Sequence, residues 1–179
     1  MTQHEEHHKI ALITGASRGL GAALAENLAA RGWHVIAVGR TTGALEELDD
    51  RIRKAGGSAT LAPMDVGTPE AMAQLAQAVM GRWGGLDLWA HTAIHAAPMS
   101  PAGHIDARDF QKSVDLNVLT TRGLICLFEP LLRARNGTAL FFDDARGGAK
   151  FFGSYGATKA AQLNLLESLR IQLAPLGIA

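Results

Sequence analysis

Ile10-Ala11-Leu12-Ile13-Thr14-Gly15-Ala16-Ser17-Arg18-Gly19-Leu20-Gly21 runs from a short apolar segment into a turn with three spaced glycines. The apolar run reads as a buried strand. Behind the turn Leu20, Leu24 and Leu28 recur at helical spacing, and Arg31-Gly32 stops the helix. A glycine triplet alone is a weak signal in a chain with 20 glycines. Its context raises its value, because a strand precedes it and an amphipathic helix follows. Glycines in such a turn let backbone approach a pyrophosphate, and the helix N-terminus offers free N–H groups and a positive dipole end.

The same alternation continues outward from this unit. Residues 34–38 read as a second strand, followed by a helix over about 42–55 that ends at Gly56-Gly57. A weaker third strand covers 59–63. Thr68-Pro69 then supplies a capping hydroxyl and a proline at the first helical position, opening a helix that runs to about 83. Residues 86–90 form a fourth strand, a long helix spans about 106–134, 138–142 is a fifth strand, and 154–174 is a last helix. Strands separated by helices imply right-handed crossovers, hence a three-layer, doubly wound α/β fold with a parallel sheet. Residues 1–8 read as a flexible polar start, and 9–179 as one nucleotide-binding domain.

Composition narrows the function classes. With 47% hydrophobic and 19% charged residues the chain can build a core. Its 17 basic and 17 acidic side chains balance, which removes the bulk electrostatic argument for nucleic-acid or membrane binding. No apolar stretch approaches the roughly 20 residues of a membrane helix, so a soluble, cytoplasmic protein is expected. A single cysteine excludes an intrachain disulfide, and Cys126, flanked by Leu124, Ile125 and Leu127, reads as core. His4, His7 and His8 lie in the polar start, and no metal site is expected.

After the second strand an NAD-binding domain places an acid for the ribose 2′-hydroxyl. Here Gly39-Arg40-Thr41 stands in that place. Arg40 can bind a 2′-phosphate, with Arg18 as a second cationic donor, which favours NADP(H) over NAD(H). Asp65-Val66, just past the third strand, would face the adenine edge.

Tyr155 is the chain's one tyrosine, and Lys159 follows four residues later on the same helical face. Asn117 lies on the preceding long helix, within Val114-Asp115-Leu116-Asn117-Val118. With Thr14 to Gly21, Asp65-Val66 and Ser154-Tyr155-Gly156-Ala157-Thr158-Lys159-Ala160-Ala161, these motifs, in this order, resemble the short-chain dehydrogenase/reductase family. The resemblance implies a Rossmann fold with strand order 3-2-1-4-5, the family's last strands missing, and a chain that is a piece of a longer protein. It implies hydride transfer between a nicotinamide and a small carbonyl or alcohol. Tyr155 would be the general acid, Lys159 would stabilise its phenolate and hold the nicotinamide ribose, and Asn117 would anchor a water relaying protons to the lysine. Gly15, Ser17, Arg18, Gly19, Leu20, Gly21, Thr92 and Ala93 would contact the dinucleotide. The two helices around Leu124, Phe128 and Leu131 and around Leu163, Leu166 and Leu173 hold either core or a subunit seam, and the family implies a homodimer or homotetramer.

Two departures bear on activity. The family's serine, which bonds the substrate oxygen, is replaced by the region Phe141-Phe142-Asp143-Asp144-Ala145. An ionised carboxylate only accepts hydrogen bonds and would oppose a developing alkoxide. Asp143 and Asp144 therefore read as hydrated loop residues beside Arg146. The family's Asn-Asn-Ala-Gly becomes His91-Thr92-Ala93-Ile94, and His91 and His95 read as packing or solvent-exposed residues rather than a proton shuttle. The competing reading is a dinucleotide-binding protein with little or no turnover.

Overall fold

A computed structural model describes residues 8–144 and 148–176 of the chain. Its element order is β1 (Ile10–Thr14), α1 (Gly19–Ala29), β2 (His34–Gly39), α2 (Thr42–Lys54), β3 (Ser58–Pro63), α3 (Pro69–Trp83), β4 (Leu88–His91), α4 (Ala107–Val114), α5 (Thr121–Arg135), β5 (Thr138–Phe141) and α6 (Gly153–Leu173). The five strands pair in parallel in the order β3-β2-β1-β4-β5. This is a three-layer doubly wound sheet. Residues 1–7, most of the polar start, lie outside the described residues.

The central strand β1 is buried along its whole length, as a strand covered on both faces must be. Its side chains alternate between two cores. Ile10 and Leu12 join Val79, Trp89, Phe128 and Leu131 on the face under α3 and α5. Ile13 joins Ala25, Val35, Leu45, Leu48 and Ile52 under α1 and α2. Trp89 anchors the first core with edge-on contacts to Phe128 and Phe141 at 5.0 and 4.9 Å. The leucines at 124 and 131 and Phe128 are thus core rather than seam.

Four local expectations change. Of Leu20, Leu24 and Leu28 on α1, Leu20 is 54% exposed and Leu24 and Leu28 pack half-buried against the core, while Gly21, Ala22, Ala25 and Ala29 are the fully buried residues. Small side chains let this helix lie close to the strands. Strand β4 begins at Leu88, because Leu86 N–H bonds Leu131 O and the Asp87 carboxylate accepts from Ile10 N–H in the approach to the sheet. His91 thereby ends the strand, in register with Thr14 and Phe141. The long helix is interrupted by a six-residue π turn over Asp115–Thr120, which contains Asn117. Cys126 is exposed on α5.

Candidate active site

Parallel strands direct their C-terminal ends toward one edge of the sheet, where ligands of such folds sit. A cleft of about 510 Å³ opens there. Gly15, Ser17, Arg18, Gly19, Leu20, Gly21, Arg40, Asp65, Val66, Thr92, Ala93, Tyr155 and Lys159 all line it. Asn117 is fully buried behind its wall.

The glycine turn is held from below by Thr92, whose hydroxyl donates to the carbonyls of Thr14 (2.9 Å) and Gly15 (3.2 Å). Gly15 has φ +90°, and a Cβ there would meet Ala93 N at 2.6 Å. A Cβ on Gly21 would strike Gly15 O and Thr92 Oγ1. These close approaches, not loop flexibility, require glycine at 15 and 21. Helix α1 starts with no side-chain cap and no acid in its first turn, so its N–H groups and dipole are left for an anion. The donor set fits a dinucleotide diphosphate. Arg40 is mostly exposed, 4.0 Å from Asp65, an ion pair of little energy at such exposure. Asp65 also accepts from Gly67 N–H at 2.9 Å.

At the other end, the Tyr155 hydroxyl donates to Asp144 Oδ2 at 3.1 Å. Asp143 Oδ1 accepts from Asp144 N–H at 2.7 Å. Asp144 is therefore no simple hydrated loop residue: it is half-buried and engages the candidate acid. Arg146 lies outside the described residues. Lys159 is buried, and its ammonium donates to Phe142 O at 2.5 Å and Gln162 Oε1 at 2.8 Å. Burial lowers its pKa, while Asp143 and Asp144 act in the opposite sense.

Asn117 is bonded through both its side chain and its main-chain oxygen. Its amide accepts from His95 N–H (2.8 Å) and donates to His95 O and Thr158 Oγ1 (both 2.9 Å), tying the segment after β4 to α6. Its main-chain oxygen accepts from Thr121 Oγ1 and Gln162 Nε2. His91 is buried; Nδ1 lies 2.7 Å from Thr14 Oγ1 and Nε2 3.4 Å from Thr121 Oγ1. Burial, then the nearby Lys159 charge, pushes its pKa down to about 4, so it is neutral. Gln162 is the residue the sequence did not single out: one glutamine in a helix carries no pattern, and its partners Asn117 and Thr121 come from other elements. Among the described residues no cluster of three His, Cys, Asp or Glu side chains could hold a metal ion. Likewise no helix there is long and apolar enough to cross a membrane.

A glycine-bounded anion site and a Tyr–Lys pair in one cleft define a nicotinamide-dinucleotide oxidoreductase fold. The sequence matches the family described as short chain dehydrogenase over residues 9–179, and the chain belongs to that family. It is 34% identical over 171 residues to an uncharacterized oxidoreductase of Mycobacterium bovis, covering 92% of this chain and 50% of the relative. The chain thus spans half the length of that curated relative. It superposes on an NAD+-bound xylitol dehydrogenase with a TM-score of 0.90 at 25% identity, covering 97% of this chain and 68% of the other. A metagenomic short-chain oxidoreductase in complex with NADP gives 0.88 at 25% identity, with 95% and 78% covered.

Proposed function

We propose that this chain carries an NADP(H)-dependent reductase or dehydrogenase acting on a small carbonyl or alcohol, with Tyr155 as general acid and base. One observation supports it most: the Tyr155 hydroxyl, the Lys159 ammonium and the glycine turn line a single cleft. The N-terminus of α1 and the turn hold the diphosphate, and Arg40 with Arg18 takes the 2′-phosphate. The bound dinucleotide supplies the hydride. In the reductive direction the Tyr155 hydroxyl turns from Asp144 and gives its proton to the carbonyl oxygen. Lys159, as ammonium, stabilises the phenolate left behind, and it keeps one N–H beyond the two given to Phe142 and Gln162. The reading includes a cytoplasmic protein that assembles as a homodimer or homotetramer.

The test is NADPH consumption with butanedione, a reactive diketone, in the parent and in Tyr155→Phe. The variant is expected to retain NADPH binding, followed by fluorescence, and to lose turnover. Undiminished turnover in Tyr155→Phe would refute the assignment. A second reading, dinucleotide binding with little turnover, is favoured by the Tyr155–Asp144 bond, which engages the acid's proton with a carboxylate. A parent that binds NADPH tightly yet reduces no diketone would establish that reading instead.

A further inference from the structure

We propose that Gln162 is a positioning residue for Lys159, its side-chain amide spanning the interior between the lysine ammonium and the main-chain oxygen of Asn117. The geometry fixes which end of the amide faces which partner. Oε1 lies 2.8 Å from Lys159 Nζ, which can only donate. Nε2 lies 3.1 Å from Asn117 O and 3.0 Å from Thr121 Oγ1, and so places one hydrogen on each. The Thr121 hydroxyl is then free to donate its own proton to Asn117 O at 2.9 Å. Both amide hydrogens and the Thr121 hydroxyl hydrogen then have acceptors, and a flipped amide would set N–H against ammonium and oxygen against oxygen. Gln162 is 3% exposed and sits in the cleft wall beside Lys159.

Two properties follow. The lysine is held by two fixed acceptors, Phe142 O from the end of β5 and Gln162 Oε1 from its own helix, so its position does not depend on ligand. A neutral amide also has no titratable proton to pass. The charged and titratable groups that face Lys159 are Asp143 and Asp144 after β5, neutral His91 at the end of β4, and Tyr155 on α6. The consequence for catalysis rests on the Tyr155–Lys159 reading above; the positioning itself does not.

The experiment is competitive acetylation of Lys159 by trace acetic anhydride across the alkaline range, read by peptide mass spectrometry. The midpoint reports the lysine's proton, and the plateau rate reports its accessibility. Parent, Gln162→Leu and Gln162→Glu are compared. Loss of the acceptor in the leucine variant lowers the midpoint, so labelling below it rises by about tenfold. A carboxylate in the isosteric glutamate variant raises the midpoint, and labelling falls by about tenfold or more. Should the leucine variant fail to fold, the glutamate variant decides alone. Coincident midpoints in the parent and the folded variants overturn the proposal. With NADPH and butanedione, Gln162→Leu should move the pH profile of kcat and leave KM for the diketone unchanged; a shift in KM alone would also overturn it. Because labelling needs no turnover, its outcome is independent of Tyr155→Phe.

Discussion

Acid should destabilise this fold through His91, by an amount the structure sets. The ring is buried between Thr14 and Thr121, and its pKa is down from 6.5 to about 4. Above the unfolded-state value both states are neutral and the residue has no effect on pH dependence. Between the two values the unfolded chain binds a proton and the folded chain does not, so stability falls as pH falls through that window. The full difference is worth about 3 kcal/mol, most of which is already lost near pH ~4.5. That is a large share of the roughly 5–15 kcal/mol that holds a domain together. Urea titrations followed by the emission of Trp89, whose ring centroid lies 5.7 Å from that of His91, measure it directly. His91→Asn should be weaker than the parent near neutrality, having lost packing and the 2.7 Å bond to Thr14. The difference between the two should shrink by about 2–3 kcal/mol on going to pH ~4.5, since the asparagine has no proton to take up. Parallel stability curves over that window would show that another group carries the acid sensitivity.

Arg40→Asp should weaken NADPH tenfold or more and leave NADH nearly unchanged, by fluorescence titration at fixed ionic strength; equal affinities of the parent for both would sink the 2′-phosphate assignment. Asp144→Ser replaces an acceptor-only carboxylate with a hydroxyl that can donate to substrate oxygen, so initial rates on butanedione should rise by about 10²-fold. Total loss of activity in that variant would mean that Asp144 itself takes part. Gly21→Ala should abolish NADPH binding, because its Cβ meets Gly15 O and Thr92 Oγ1. Sedimentation should show a dimer or larger, with Leu163 (38% exposed) and Ile171 (61% exposed) on α6 at the seam; a clean 18.9 kDa monomer at micromolar concentration would refute it.

What the sequence made legible is what local physics determines. The β1–α1 turn announces itself because close backbone approach admits only glycine at 15 and 21, and that constraint is written in adjacent residues. The parallel, doubly wound layering follows from the alternation of apolar runs and helices with the handedness of their crossovers, whereas the strand order rests on the family resemblance. Tyr155 and Lys159 sit one helical turn apart, so their shared face needs no tertiary information. Boundaries were read less well where a tertiary contact overrides local pattern. The Leu86 backbone is tied to α5 and so stays outside β4, and α1 buries its alanines although leucines are available.

The site's second layer was illegible for a different reason. His91, Thr121, Asn117 and Gln162 make one connected polar wall, yet they come from β4, α5, the π turn and α6. Their spacing in sequence carries no periodicity; it is created when the sheet register brings His91 beside Thr14 and the π turn presents Asn117 O to α6. Asp144 shows the same effect with a chemical consequence. Read alone, two acids followed by Ala145, Arg146 and two glycines look hydrated. Once β5 ends at Phe141 and α6 begins at Gly153, the carboxylate lies against the Tyr155 hydroxyl. On the proposed mechanism a carbonyl substrate would compete with that carboxylate for the phenolic proton. A charge-assisted hydrogen bond is worth roughly 1.5–3 kcal/mol, which is enough to hold turnover low until substrate or a neighbouring charge displaces Asp144.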